Sequence, residues 1–348
     1  MSVVRFLDLE AMHAPLRPQL DQAWAEAIEQ SQFIGGDAVE HFEARWAAAC
    51  CRRYAVGVAN GTDALALILQ AYGVGPGDEV ILAANTFIAT AEAVTAAGAT
   101  PVFADVDVAT LLVTADTVEA CRTARTVAAV IVHLYGQLPD MDSLELWAAR
   151  HGIVLVEDAA QAHLASWNGR VAGSFGLAGG FSFYPGKNLG AFGDGGAVVT
   201  DDADLAEGVR CLANHGRSLQ DRYLHDLDGC NSRLDALQAT VLGIKLEALP
   251  RWNEQRRAVA RRYRSNLEGL PGIDMVRIDP RGQAVHHLEV VQINDRELVQ
   301  SRLRGEGIET AIHYPVPCHR QRPFAKFARG ALPVAEAAAA RVLVLMAN

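Results

Sequence analysis

From Tyr54 onward the chain alternates short, almost wholly apolar runs with stretches whose apolar positions recur every three or four residues. The runs 55–59, 79–82, 101–105, 127–132 and 153–157 predict buried strands. Between them, 63–72, 89–97 and 140–150 predict helices, and Gly75-Pro-Gly-Asp78 a turn. Strands that are apolar on both faces and joined by helical crossovers make a mostly parallel sheet covered on both sides. Ligands of such sheets bind at the carboxyl ends of the strands. Asn60-Gly-Thr62 and Asp158 both fall at such ends, in one crevice.

Ahead of this pattern, residues from about 18 to 50 read as two amphipathic helices broken at Phe33-Ile-Gly-Gly36. Beyond it, the runs 180–184 and 197–200 flank a loop rich in glycine. A long helical pattern extends from Arg233 to about Leu267, and Pro250 predicts a kink or a split in it. From Gly269 the chain reads as a smaller α+β unit. It has strands near 274–278 and 288–293, a helix near 295–305, then the run 308–314.

The chain has 348 residues, half of them hydrophobic and 21% charged, enough for a sizeable core and about two domains. Its formal net charge of −10 argues against a nucleic-acid partner, whose phosphates Lys and Arg must neutralise. No apolar run approaches the roughly 18 residues of a membrane span. Acidic residues stand where a signal peptide would have its apolar core. Six cysteines without a CxxC pair fit reduced thiols in the cytoplasm.

The chemistry concentrates on Lys187, in Phe181-Ser-Phe-Tyr-Pro-Gly-Lys-Asn-Leu-Gly190, and on Asp158 at the end of Gly152-Ile-Val-Leu-Val-Glu-Asp158. A lysine in such a loop can bond the aldehyde of pyridoxal phosphate, and a carboxylate at a strand end can pair with its pyridine nitrogen. Asn60-Gly-Thr-Asp-Ala64, between strand and helix, is either a phosphate cradle or an ordinary turn capped by Thr62 or Asp63. Gln161 and His163 follow Asp158 at spacings that could return both to the crevice, with His163 equally suited to the core. Ser182 could bond a phosphate, with Tyr184 and Asn188 nearby. Cys318-His319, His313 and His286-His287 fit no standard zinc spacing, so no metal is expected. Arg251, Arg256, Arg257, Arg261, Arg262 and Arg264 crowd one helix, as a solvated face or as a site for substrate phosphates.

Several ordered blocks carry a family resemblance over nearly the whole chain. They are Ala59-Asn-Gly-Thr-Asp-Ala-Leu65, Asn85-Thr-Phe-Ile-Ala-Thr90, Val132-His-Leu-Tyr-Gly-Gln137 and Glu157-Asp-Ala-Ala-Gln-Ala-His163, with 181–196, Asn231-Ser-Arg-Leu-Asp-Ala-Leu-Gln238 and Ile312-His-Tyr-Pro-Val-Pro317. The chain resembles the DegT-type sugar aminotransferases, pyridoxal-phosphate enzymes of fold type I in the aspartate aminotransferase superfamily. The resemblance implies an α/β fold. A large domain, 1–240 with the N-terminal helices, would hold a mixed, mostly parallel seven-stranded sheet. Residues 241–348 would form the long connecting helix and a small C-terminal α+β domain.

It also implies residue roles. Lys187 would bond the cofactor covalently, Asp158 would pair with the ring nitrogen, Gln161 would contact the ring hydroxyl and Phe87 would stack on the ring. Gly61, Thr62 and Ser182 would hold the phosphate. Asn231 would reach the phosphate in the neighbouring subunit of a homodimer. Tyr184, His313 and Tyr314 would line the sugar-nucleotide pocket. Where the family reads His-Gly-Ala this chain has His163-Leu164-Ala165, a bulkier residue expected beside the crevice. Relatives also continue past the position of Val342-Leu-Val-Leu-Met-Ala-Asn348 with a Leu-Pro turn and more of the small domain.

The implied reaction is a ping-pong transfer of the amino group of L-glutamate to the C3 ketone of a dTDP-linked 3-keto-6-deoxyhexose. A 4-keto sugar nucleotide or a keto-inositol are alternative acceptors. A non-catalytic pyridoxal-phosphate-binding regulator, which would be expected to lose one of Asp158, Gln161 or Lys187, is the alternative of another class.

Overall fold

The protein is described by a computed structural model covering residues 3–218, 220–221 and 223–345. Among the described residues thirteen strands follow in chain order: β1 Tyr54–Val58, β2 Glu79–Ala83, β3 Thr100–Ala104, β4 Thr126–Val132 and β5 Val154–Asp158; then β6 Ser166–Trp167, β7 Arg170–Val171, β8 Ala178–Ser182 and β9 Gly196–Thr200; finally β10 Ile273–Met275, β11 Gly282–Gln283, β12 Glu289–Ile293 and β13 Val342–Leu345. Seven of them form one sheet in the order β1-β9-β8-β5-β4-β2-β3. The pairs from β3 across to β8 are parallel, and β9 runs against both of its neighbours. The expected mixed, mostly parallel sheet is present.

Strand boundaries fall within a residue or two of the apolar runs because those runs are buried on both faces: β2 has no exposed position. The helix Gly61–Tyr72 is buried from Ala64 to Leu69 and packs on the sheet. Each of Leu65, Leu67, Ile68 and Leu69 contributes roughly 1.5–3 kcal/mol by leaving water. Contact with the sheet is close at Gly180 on β8, where an added Cβ would stand 2.8 Å from Leu65 Cδ2. Parallel strands joined by crossovers all end on one side, so β1, β2, β4, β5 and β8 deliver their carboxyl ends to a single crevice. The loop between β8 and β9 carries Lys187 over the same side.

The C-terminal unit is a three-stranded antiparallel sheet, β10-β12-β13, with the helices Arg296–Gly305 and Pro333–Arg341. Three sequence expectations need correction. Of the kink or split expected at Pro250, the split does not occur: Ala236–Leu267 is one helix. A proline inside a helix costs about 3 kcal/mol, and burial of Leu242, Leu246, Leu249 and Trp252 around it offsets that loss. The run 308–314 makes isolated bridges only, Ile308 with Val4 and Ala311 with Val344. The third strand of the small sheet is instead Val342–Leu345, in the segment read only for where it stops; residues 346–348 lie outside the described residues. Among the described residues no helix is long and apolar enough to cross a membrane.

Candidate active site

A cavity of about 410 Å³ opens at the carboxyl ends of the large sheet. Gly61, Thr62, Phe87, Asp158, Gln161, Ser182, Tyr184, Lys187, His313 and Tyr314 all line it. These residues are up to 253 positions apart (314 − 61), and the fold brings them to one cavity.

At its floor, β1 ends and the helix Gly61–Tyr72 begins. Asn60 is the N-cap, its side-chain oxygen accepting from the Asp63 N–H at 2.8 Å. The Asn60 carbonyl accepts from the Ala64 N–H. Neither Thr62 nor Asp63 is the cap, which corrects the plainer sequence reading. The N–H groups of Gly61 and Thr62 are left without intrahelical partners, at the positive end of the helix dipole. A Cβ on Gly61 would fall 2.6 Å from Ser182 Cβ and 3.1 Å from its Cα, so only glycine leaves this cradle open.

Asp158 is the last residue of β5 and 7% exposed. Its Oδ2 accepts from Thr90 Oγ1 at 2.7 Å and its Oδ1 from the Ala160 N–H at 3.2 Å. Glu157, one position earlier, faces the other side of the sheet. There it meets His133 Nε2 and the N–H groups of Gly173 and Phe175. Gln161 Oε1 accepts from the Tyr135 N–H at 2.7 Å, which turns Nε2 toward Tyr314 Oη, 3.3 Å away. Phe87, about half exposed, lies 5.5 Å from the Tyr314 ring.

Lys187 makes no hydrogen bond or ion pair through its amine among the described residues. Desolvation in the crevice lowers the amine to about 8, and the Asp158 carboxylate opposes that shift. Burial and the charge of Lys187 hold the His313 imidazole down at about 4. Burial and the nearby Asp158 push the Tyr314 phenol up. The site therefore offers a poorly solvated free amine, a fixed carboxylate and an anion-binding helix start, with uncharged donors around them.

Other sequence candidates lie elsewhere. His163 is fully buried among Trp46, Phe181 and Phe183, at 5.6–5.7 Å between ring centres, and does not line the cavity. Burial lowers it to about 3. Leu164 does not line the cavity either; it adopts φ +65°, a conformation that suits the glycine of the family pattern. None of the six arginines on the long helix reaches the cavity. Arg257 and Arg261 pair with Glu254 and Arg264 with Glu289, while Arg256 is buried rather than solvated. Cys318 is buried against the Thr86 carbonyl and His286 bonds Glu289. Asn231 is exposed and bridges Asn214, outside this chain's own cavity. Sequence reasoning missed Phe6, Leu7 and Asp194 as lining residues, and placed His287 only among possible metal ligands. No local pattern marked Phe6 and Leu7; their position follows from Val4 pairing with Ile308 and the Phe6 N–H donating to Glu309.

Residues 16–347 match the model of the DegT/DnrJ/EryC1/StrS aminotransferase family. The chain belongs to this aminotransferase family. The enzyme is 47% identical to the dTDP-3-amino-3,4,6-trideoxy-alpha-D-glucose transaminase of Streptomyces venezuelae, over 98% of this chain and 90% of that protein. It is 44% identical to a pleiotropic regulatory protein of Geobacillus stearothermophilus, over 98% of this chain and 92% of the relative. Among solved structures, S. venezuelae DesV in complex with a ketimine intermediate superposes with a TM-score of 0.96 at 47% identity, covering 99% of this chain and 93% of that one. The fold is that of the fold-type-I aminotransferases, and the cofactor is pyridoxal phosphate. The cradle at Gly61, the unpaired Lys187 amine and the buried Asp158 fit that group.

Proposed function

We propose that this aminotransferase moves the amino group of L-glutamate to the C3 ketone of a dTDP-linked 3-keto-6-deoxyhexose, in two half-reactions at one site. The observation that carries the reading is the convergence of an unpaired Lys187 amine and a buried Asp158 on one cavity. The similarity to the S. venezuelae transaminase supports the acceptor. Pyridoxal phosphate, bound there, supplies the aldehyde that receives the amino group and a ring that draws electrons from the reacting carbon.

Asp158, held by Thr90 and the Ala160 N–H, would place a negative charge at the ring nitrogen. Gln161, oriented by the Tyr135 N–H, would donate through Nε2 to the ring oxygen. Gly61, Thr62 and Ser182 would hold the phosphate, and Phe87 would cover the ring face. Lys187 Nζ, at about 8, keeps a usable unprotonated fraction near neutral pH. It takes the α-proton of the donor and delivers a proton to the acceptor carbon in the return half. Tyr184, His313 and Tyr314, which line the cavity, would contact the sugar nucleotide.

Asn231 lies away from its own chain's cavity, in keeping with a role in the neighbouring subunit of a homodimer. The large unit, 1–240, then carries the cofactor and 241–348 closes the substrate side, in a cytoplasmic enzyme. Retention of Lys187, Asp158 and Gln161 together disfavours a purely regulatory protein.

The test is a product assay. Enzyme, pyridoxal phosphate, L-glutamate and a panel of keto sugar nucleotides are incubated, and mass spectrometry follows the aminated sugar. Amination of the dTDP-linked 3-keto-6-deoxyhexose in preference to its 4-keto isomer is expected. Preference for the 4-keto sugar or a keto-inositol would overturn the acceptor assignment.

A further inference from the structure

Beside Lys187 a buried chain of amides runs from the crevice to the long helix. Asn188 Nδ2 donates to Asn253 Oδ1 at 2.9 Å and to the Val285 carbonyl at 3.2 Å. Asn253 Nδ2 donates in turn to the His163 carbonyl at 2.9 Å. The Val285 and His163 carbonyls only accept, so they settle which way both amides face. Asn188 Oδ1 is thereby an acceptor, and it lies 3.0 Å from His287 Nδ1. His287 must then donate through Nδ1, and in the neutral ring the lone pair is on Nε2.

His287 lines the cavity together with Lys187, His313 and Tyr314. Among the described residues its Nε2 has no hydrogen-bond partner in the protein, and it is not among the buried polar atoms left unpaired, so it is accessible. Burial holds the ring well below the ordinary imidazole value, and the charges of Lys187 and Arg256 add to this. Asn188 and Asn253, 1% and 2% exposed, cannot turn without stranding a buried polar group.

We infer that His287 is a specificity-determining residue, a fixed and uncharged acceptor for one hydroxyl of the keto sugar. The inference rests on the keto-sugar reading given above. L-Glutamate carries no hydroxyl to donate, so this contact separates the two half-reactions. The hydroxyl concerned is one that the sugar keeps through the reaction, since no bond to it forms or breaks.

The two half-reactions are measured separately by single-turnover absorbance, in wild type, His287→Asn and His287→Gln, all loaded with cofactor. The asparagine amide reproduces the Nδ1 donor and its bond to Asn188 but removes the Nε2 acceptor. The glutamine amide can place an oxygen near the Nε2 position. In His287→Asn the loss is expected in the sugar half, about tenfold in kcat/KM, as for one lost hydrogen bond, with His287→Gln recovering part of it. A sugar lacking the recognised hydroxyl should react equally with wild type and His287→Asn. Nitrogen-15 NMR of the loaded wild-type enzyme should show His287 with its hydrogen on Nδ1. Equal losses in both halves, no loss in either, or a hydrogen on Nε2 would overturn the inference while leaving the keto-sugar reading intact. A wild-type enzyme that glutamate converts but no keto sugar discharges would overturn both.

Discussion

Two lysines in this protein are poorly solvated and hard to charge, and their surroundings differ. Lys187 is lowered to about 8 and Lys245 to about 7, in each case mainly by burial. Lys245 lies fully buried on the long helix. Its amine donates to the Gly190 carbonyl and lies 2.9 Å from His13 Nε2, with the Phe192 ring 5.4 Å away. Lys187 has no such partners and opens onto a cavity beside Asp158. The more perturbed amine is therefore the structural one. A lowered pKa marks burial; an unpaired amine with room in front of it marks chemistry.

The largest expected effect breaks the comparison on the catalytic side. Lys187→Ala should lower transamination by roughly 10³-fold or more, with an unchanged circular-dichroism spectrum and melting curve. An activity loss of the same size in Lys245→Met would erase the distinction between the two residues. Asp158→Asn should follow at roughly 10²-fold, because the amide cannot stabilise a protonated ring nitrogen. Gly61→Ala sharpens the boundary of the site. Its Cβ must displace Ser182 backbone, so Kd for pyridoxal phosphate should rise about tenfold or more in an equilibrium titration.

For Lys245 the readout is stability. Unfolded lysine holds its proton up to about pH 10, whereas folded Lys245 loses it near 7. Between those values the unfolded chain binds more protons, so folding stability rises with pH in that window. His13, lowered to about 4, titrates outside it. Lys187, lowered to about 8, adds to the rise above that pH; Lys245→Met should remove the part that begins near pH 7 in denaturant melts taken from pH 7 to 10, and an unaltered slope would remove Lys245 as a source. The smallest effect is Leu164→Gly. Relief of the +65° φ, about 1–2 kcal/mol, should nearly cancel the lost packing of a half-buried leucine. Stability should stay within about 1 kcal/mol of wild type, and a loss of the 2–5 kcal/mol typical of core leucines would contradict this.

Much of the fold was legible because double-sided burial leaves a plain mark: β2, β4 and β5 are continuous apolar runs between turns. The direction of β9 was not, since an apolar run reads the same both ways. Pro250 misled because propensity says nothing of the tertiary packing around Leu246, Leu249 and Trp252. The strand at Val342–Leu345 went unread because a short apolar terminal run has no local sign of the partner, β12, that it finds. At the site, Lys187, Asp158 and Gly61 were legible through their setting between strand and loop. His287 was not, because its role depends on Asn188 and Asn253, 99 and 34 positions away in the chain (287 − 188 and 287 − 253). Likewise spacing left His163 equally suited to crevice and core, and packing places it in the core.

The most direct test of the central claim is the absorbance spectrum of the purified protein with pyridoxal phosphate, before and after L-glutamate. The account predicts a visible band that requires Lys187, disappears on adding glutamate and returns on adding a dTDP-linked 3-keto-6-deoxyhexose. A band that forms equally in Lys187→Ala, or one that glutamate leaves untouched, would contradict it.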